Sequence, residues 1–157
     1  MNPASEQVLE ALRRHAGQAC SGALLSERLG VTRSQVWKHI ETLRRRGYAI
    51  EGSPGGGYRL AAVPDRLYPE EIRDGLATVW LAREIHWHDT VDSTNRVAGE
   101  LARGGAGHGA TVVAESQSAG RGRLGRSFHS PGGNLYTSIV LRPTLDLTQA
   151  PLVILAA

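Results

Sequence analysis

Three arginines interleaved with glycines, Arg121, Arg123 and Arg126 in the run GRGRLGR at 120–126, are the residues of this sequence best suited to chemistry. Glycine lets a backbone approach a ligand closely, and each guanidinium offers a permanently charged planar fork for carboxylate or phosphate oxygens. A reaction that activates a carboxylate with ATP needs such a set, because two anionic reactants must meet and the charge developing at phosphorus must be stabilised. Closure of the loop would also keep water from an acyl-adenylate. With Gly132 and Gly133 beyond it, the loop cannot bury enough apolar surface to order itself and is expected to be mobile until something binds. It lacks the GK[ST] ending of a Walker motif and does not open a helix as a dinucleotide fingerprint would. RNA binding by charge and stacking, and a solvated charged hairpin, stay open as other readings.

Strands must hold this loop. Ala110–Glu115 and Leu135–Leu141 are short apolar runs rich in strand formers on either side of it. Upstream, Ile85–His88 alternates as a strand does, and DSTN at 92–95 follows, with Val97, Ala98 and Leu101 giving the next run an apolar helical face. The four polar residues read first as a helix start. A helix N-terminus also presents free amides and partial positive charge, so a small anionic or amide-bearing ligand could sit beside Ser93 and Thr94. Before these elements, EEIRDGLATVWLA at 70–82 reads as a short helix with Ile72 and Leu76 inward and Gly75 as its weak point. PDRLYP at 64–69 breaks all periodicity and marks a boundary.

The first third has a different character. Ser5 is expected to cap a helix through Val8, Leu9 and Leu12, and a second helix starts near Ser21 and stops at Gly30. Thr32 caps a third, in which Val36, Ile40 and Leu43, helped by Trp37, form a buried stripe that ends at Gly47. Helix, tight turn, helix is the layout of a helix-turn-helix, and two short strands, Ala49–Glu51 and Tyr58–Leu60, joined by a glycine-rich turn make a wing. Arg33, Ser34 and Gln35 at the exposed start of the third helix could read base edges. Lys38, Arg44, Arg45, Arg46 and the wing's Arg59 suit phosphates better. A protein-interaction module with a solvated basic helix end is the alternative. Trp37 is expected in the core, and His15 and His39, which lack companions at metal-ligand spacing, on the surface.

Charge supports the division. Residues 1–62 hold nine Lys and Arg against five Asp and Glu, a net +4, whereas residues 63–157 hold nine against ten, a net −1. A basic excess confined to one segment points to nucleic acid there. The single cysteine, Cys20, rules out an internal disulfide framework. No apolar run approaches the roughly 18 residues of a membrane span, and no secretory pattern opens the chain, so a cytoplasmic location without membrane contact is expected.

DSTN at 92–95, AESQSAGRGRLGR at 114–126 and SPGGNLYTSIVLRP at 130–143, behind winged-helix features at 22–60, resemble in order and spacing the bifunctional biotin protein ligases, the biotin operon repressors of bacteria. The resemblance implies an α+β protein, with a winged helix-turn-helix domain at 1–62, a linker at 63–69 and, at 70–157, the first part of a class II synthetase-like mixed α/β ligase core. It implies that biotin and ATP, with Mg2+, give biotinyl-5′-AMP and pyrophosphate, and that biotin then passes to a lysine of a biotin carboxyl carrier protein. Operator DNA and a second copy in a homodimer are the other implied partners. Position by position, Ser93, Thr94, Gln117, Gly120, Arg121 and Arg123 would contact biotin, with Arg121 and Arg123 also catalytic. Arg126 and Phe128 would face the adenylate, Phe128 standing where the family usually has tryptophan. No residue of the chain is implied as a metal ligand. The family's KWPND-like segment, whose lysine contacts biotin and ATP, has no counterpart here, because Lys38 is the only lysine. The chain is therefore expected to be an N-terminal part with little ligase activity by itself. The alternative is a non-catalytic DNA-binding regulator with a remnant ligand-binding domain.

Overall fold

The computed structural model describes residues 1–15, 17–53, 55–122, 126–145 and 147–149. They form two compact units, Met1–Asp65 and Arg66–Ala157.

In the first unit, helices α1 (Pro3–Arg14), α2 (Gly22–Leu29) and α3 (Arg33–Arg45) precede an antiparallel hairpin of β1 (Ala49–Ser53) and β2 (Gly57–Ala62). Each helix has a local reason to start where it does. Asn2, not Ser5, caps α1: its side chain accepts from the Ser5 amide at 2.8 Å, and Pro3 fills the first helical position, where no N–H is needed. Ser5, one turn in, is buried instead, with its hydroxyl 3.0 Å from His39 Nδ1, so His39 is a half-buried partner of α1 rather than a plain surface residue. His15 lies 2.7 Å through Nδ1 from the Ala11 carbonyl. Ser21 caps α2, and Gly30 ends it in the left-handed region at φ 64°. Thr32 and Gln35 form a reciprocal capping box at the start of α3.

Val8, Leu9, Leu12, Leu25, Val36, Ile40 and Leu43 are at most 1% exposed and make the core of this unit. Trp37 does not join them: it is 53% exposed. Successive helical residues turn by about 100°, so the position after Val36 swings off the buried stripe toward the wing, and nothing closes over it. Arg44 ties α3 to the wing, donating to the Ile50 carbonyl through Nε at 2.9 Å and Nη2 at 2.7 Å. Its Nη1 also meets Glu41 at 2.6 Å, so the guanidinium expected at phosphate is committed inside the fold. The wing is further held by paired backbone bonds of 2.8 Å between Cys20 and Tyr58. Cys20 is buried, and that burial raises its thiol pKa against the opposing pull of Arg28.

The second unit begins with a short helix, α4 (Pro69–Arg73). The longer helix expected to 82 stops there because Asp74 turns extended and Gly75 adopts φ 80°. Three strands follow, β3 (Ile85–Val91), β4 (Thr111–Gln117) and β5 (Tyr136–Ile139), ordered β3-β4-β5, with β3 and β4 parallel and β4 and β5 antiparallel. Helix α5 (Thr94–Arg103) makes the crossover between the parallel pair and packs Ala98, with Val97 and Leu101, on Ala110, Val112 and Val140. Central β4 is buried from Thr111 to Ala114 and opens toward its C-terminal end.

Within the expected linker, Arg66–Tyr68 are pinned to the sheet. Glu115 Oε1 accepts from Arg66 Nε at 3.0 Å, the Leu67 amide at 2.9 Å and Trp87 Nε1 at 3.0 Å, and Tyr68 meets Trp87 edge to face at 5.0 Å. Arg66 also pairs with Asp89.

Two left-handed glycines of the first unit, Gly30 and Gly57, differ in surroundings. A Cβ at Gly30 meets nothing within 4 Å, whereas one at Gly57, φ +81°, would collide with the Cys20 carbonyl. Gly30→Ala is therefore expected to cost about 1 kcal/mol and Gly57→Ala about 3 kcal/mol. Urea unfolding followed by circular dichroism checks both, and equal costs would contradict the close approach at Gly57.

Candidate functional site

Parallel strands β3 and β4 end together, Val91 beside Gln117, and both chains then run into polar loops. The loops stay in step for two more residues, as the Ser118 amide donates to the Val91 carbonyl at 2.8 Å and the Ala119 amide to the Asp92 carbonyl at 2.9 Å. The carboxyl end of a parallel strand pair is where open α/β sheets place ligands, since two loops diverge there beside a helix N-terminus.

That helix N-terminus is capped from outside its own sequence. Ser93 occupies the cap position of α5, yet its side chain makes no capping bond and has no hydrogen-bond partner among the described residues. Gln117 of β4 does the work instead: its Oε1 accepts from the Thr94 amide at 2.9 Å and from Thr94 Oγ1 at 3.2 Å. The other end of the same amide, Nε2, donates to Ser130 Oγ at 3.0 Å, and Ser130 Oγ donates to the Phe128 carbonyl at 3.1 Å. One side chain thus joins the helix start, the central strand and the returning arm of the glycine-rich loop. Ser138 on β5 completes the set, its hydroxyl 2.9 Å from both Thr94 Oγ1 and Asn95 Oδ1.

The loop folds back on itself with regular backbone pairing. The Gln117 amide donates to the Ser130 carbonyl at 3.0 Å, Phe128 to Gly120 at 2.8 Å and Gly122 to Arg126 at 2.7 Å, with Arg121 bridged to Ser127. The described arms are therefore tied to each other by backbone hydrogen bonds. Gly120 is buried at the fold of this loop, and a Cβ there would lie 2.5 Å from Ser130 Oγ and 2.6 Å from the Phe128 carbonyl. Here glycine is needed for close packing, since the residue is not in the left-handed region.

Of the expected small-molecule residues, Ser93, Thr94, Gln117 and Gly120 are thus brought together at one end of the sheet. Arg121 and Arg126 stand exposed on the two arms of the loop, and Phe128 is 56% exposed. Arg123 lies outside the described residues. Ser130 and Ser138 were missed by sequence reading. Ser138 was invisible because its place depends on the β4–β5 register, and Ser130 was signalled only by the strand break at SPGG.

Asp92 shapes the same turn without facing the buried cluster. It accepts from the Ser93 amide at 2.7 Å and pairs with Arg96, which also meets Glu100. The hydrogen bond from Arg96, more than any other interaction, holds the Asp92 carboxyl below the usual carboxylate range.

In the first unit, Arg33, Ser34, Gln35 and Lys38 are all exposed at the start of α3. Arg33 and Lys38 make no ion pair among the described residues. The Gln35 carbonyl oxygen is engaged with Thr32 at 2.8 Å, which leaves its amide nitrogen outward. Arg59 on the wing is paired with Glu51 at 2.6 Å, both exposed.

Among the described residues no three His, Cys, Asp or Glu side chains converge as a metal centre, and no helix is long and apolar enough to cross a membrane.

Residues 5–59 match the HTH domain family model and residues 87–157 match the model of the biotin/lipoate A/B protein ligase family. The bifunctional ligase/repressor BirA of Bacillus subtilis is 42% identical over 97% of this chain and 47% of its own length. The protein of the same name from Escherichia coli is 39% identical over 86% of this chain and 40% of its own. The chain therefore spans about half the length of the curated relatives it matches. A biotin protein ligase from Leishmania major solved with biotinyl-5-AMP is 38% identical over 44% of this chain and 28% of its own, with a TM-score of 0.39, too partial a superposition to bear on the fold.

The Asp92–Arg96 pair predicts a measurable titration. A carboxyl whose folded pKa is depressed lends stability that is present above its unfolded value and is lost as pH falls through the folded one. Nuclear magnetic resonance of the Asp92 carboxyl should show a midpoint below the usual carboxylate range, moving up into it in Arg96→Gln. An unchanged midpoint in that variant would show that Arg96 is not the cause.

Proposed function

We propose, from the premise that this chain joins an HTH domain at 5–59 to part of a biotin/lipoate A/B protein ligase domain at 87–157, that it belongs to a biotin protein ligase that also represses transcription. The observation that carries the reading is the Gln117 amide, which joins the N-terminus of α5 to the returning arm of the glycine-rich loop and so brings the Ser93 hydroxyl to the same end of the sheet as the arms that carry Arg121 and Arg126. The Bacillus and Escherichia relatives are named as bifunctional ligase/repressors, and the Leishmania structure holds biotinyl-5-AMP, the acyl-adenylate such a site would form.

In this reading Ser93, Thr94, Gln117 and Gly120 receive biotin, whose cyclic urea needs both donors and acceptors. Ser93 has a hydroxyl to spend, and the network of Ser130 and Ser138 keeps Thr94 and Gln117 in place before ligand arrives. Arg121 and Arg123 draw the biotin carboxylate and the α-phosphate together. The carboxylate oxygen attacks α-phosphorus, pyrophosphate leaves, and the guanidiniums offset the charge that builds on the phosphoryl oxygens. Arg126 holds the adenylate phosphate and Phe128 offers its exposed ring to the nucleotide. A carrier lysine amine then attacks the acyl carbon and AMP leaves. Magnesium would be held by the phosphates of the nucleotide and would offset their charge.

For the first unit, Arg33, Ser34, Gln35 and Lys38 face operator DNA, with Arg59 as a wing contact once it exchanges Glu51 for phosphate. The surroundings implied are cytoplasmic, and the pairing of two operator half-sites implies a homodimer.

Two measurements test this. Gln117→Ala is expected to weaken biotin binding by roughly 10- to 100-fold in calorimetry, because Thr94 and Ser130 lose their shared partner. In the longer ligase to which this reading assigns the chain, Arg121→Ala is expected to slow biotin-dependent exchange of labelled pyrophosphate into ATP by about 100-fold or more. Biotin affinity and exchange that ignore both substitutions would overturn the assignment of this site. DNA binding should weaken steeply across a salt series in a mobility-shift assay, and a shift indifferent to salt would count against the repressor half.

A further inference from the structure

We infer that Trp37 is a DNA-contacting residue, packing its ring against a thymine methyl in the major groove and so contributing to sequence choice. This rests on the DNA-binding half of the function proposed above and deepens it.

Trp37 is 53% exposed on a helix whose inward stripe, Val36, Ile40 and Leu43, is fully buried. Its ring lines a groove of about 610 Å³ together with Arg33, Arg44, Ser21, Gly52 and Tyr58. The walls of that groove are fixed from inside the fold. Arg44 holds β1 through the Ile50 carbonyl, and Tyr58 is bonded to Cys20 in both directions. The groove is also kept open by missing side chains, since a Cβ at Gly52 would press on the Tyr58 ring at 3.0 Å. The half-exposed indole at the edge of this groove leaves apolar ring surface that a partner could cover.

Charge selects the partner. Trp37 lies one helical turn after Arg33 and directly before Lys38, two exposed cations with no ion pair among the described residues, and the unit carries nine Lys and Arg against five Asp and Glu up to Ala62. An apolar ring between unpaired cations at the N-terminal part of an exposed helix suits a polyanion with apolar spots. Duplex DNA presents such spots in its major groove as the 5-methyl groups of thymine. The cations supply affinity that any sequence would accept, and the indole adds a preference that they lack.

The test uses duplexes selected by the protein from a random-sequence pool. Replacing thymine by uracil one position at a time removes single methyl groups. At one or two positions the loss should be about fourfold for the protein, the worth of one buried methyl group, and absent for Trp37→Ala. Trp37→Ala should also bind the selected duplex more weakly with an unchanged salt slope, and Trp37→Gln serves if the alanine variant unfolds. In a Trp80→Phe background, the selected duplex should shield the remaining exposed indole from acrylamide quenching. Arg33→Ala and Lys38→Ala losing affinity while Trp37→Ala keeps both affinity and methyl sensitivity would overturn this inference alone. A protein that shows no salt-sensitive shift on the pool would overturn the DNA reading and this inference together.

Discussion

A single primary amide joins the start of α5, the end of β4 and the returning loop in the second unit. Gln117 accepts at the N-terminus of α5 with its oxygen and donates to Ser130 with its nitrogen. A carboxylate at this position could accept from Thr94 but could not donate to Ser130, and an apolar residue could do neither. Because Thr94 and Ser130 are 5% and 4% exposed, losing that partner would leave buried polar groups without water to replace it. The glycine at 120 belongs to the same constraint, since only a residue without a side chain leaves room for Ser130 and the Phe128 carbonyl at their observed distances.

Glu115, which precedes Gln117 by two residues on the same strand, has a comparable role. One carboxylate oxygen gathers Arg66, the Leu67 amide and the Trp87 indole, so the segment entering this unit is fastened to the sheet that ends at Gln117. Residues two apart on a strand point to the same face. Strand β4 therefore carries both Glu115 and Gln117 on one side, while Val112 of its apolar half, with Ala110 just before it, packs against α5.

In the first unit the division of labour among basic residues is the main structural result. Arg44 and Arg59 look alike in sequence to Arg33 and Lys38, but Arg44 is spent on the Ile50 carbonyl and Glu41, and Arg59 on Glu51. What stays outward at the start of α3 is a smaller set, with Trp37 among it.

The sequence by itself determined the helix-turn-helix order, the Thr32 cap, the Gly30 stop and the glycine-arginine loop between two strands, because each of these depends on residues within one turn of one another. Its family resemblance named Ser93, Thr94, Gln117, Gly120, Arg121 and Arg123 as a set, of which the first four meet at one end of the sheet. What it misjudged depends on geometry that local pattern does not carry. Trp37 sits one residue from a buried stripe, and it is left half exposed at a groove lined by residues of the wing. Ser5 has the chemistry of a cap, but Asn2 with Pro3 takes that place and His39 of α3 takes up Ser5. That Gln117 should cap a helix 23 residues upstream and hold Ser130 on its other side is decided by strand register, since hydrogen bonds between distant residues exist only once β3, β4 and the returning loop are aligned.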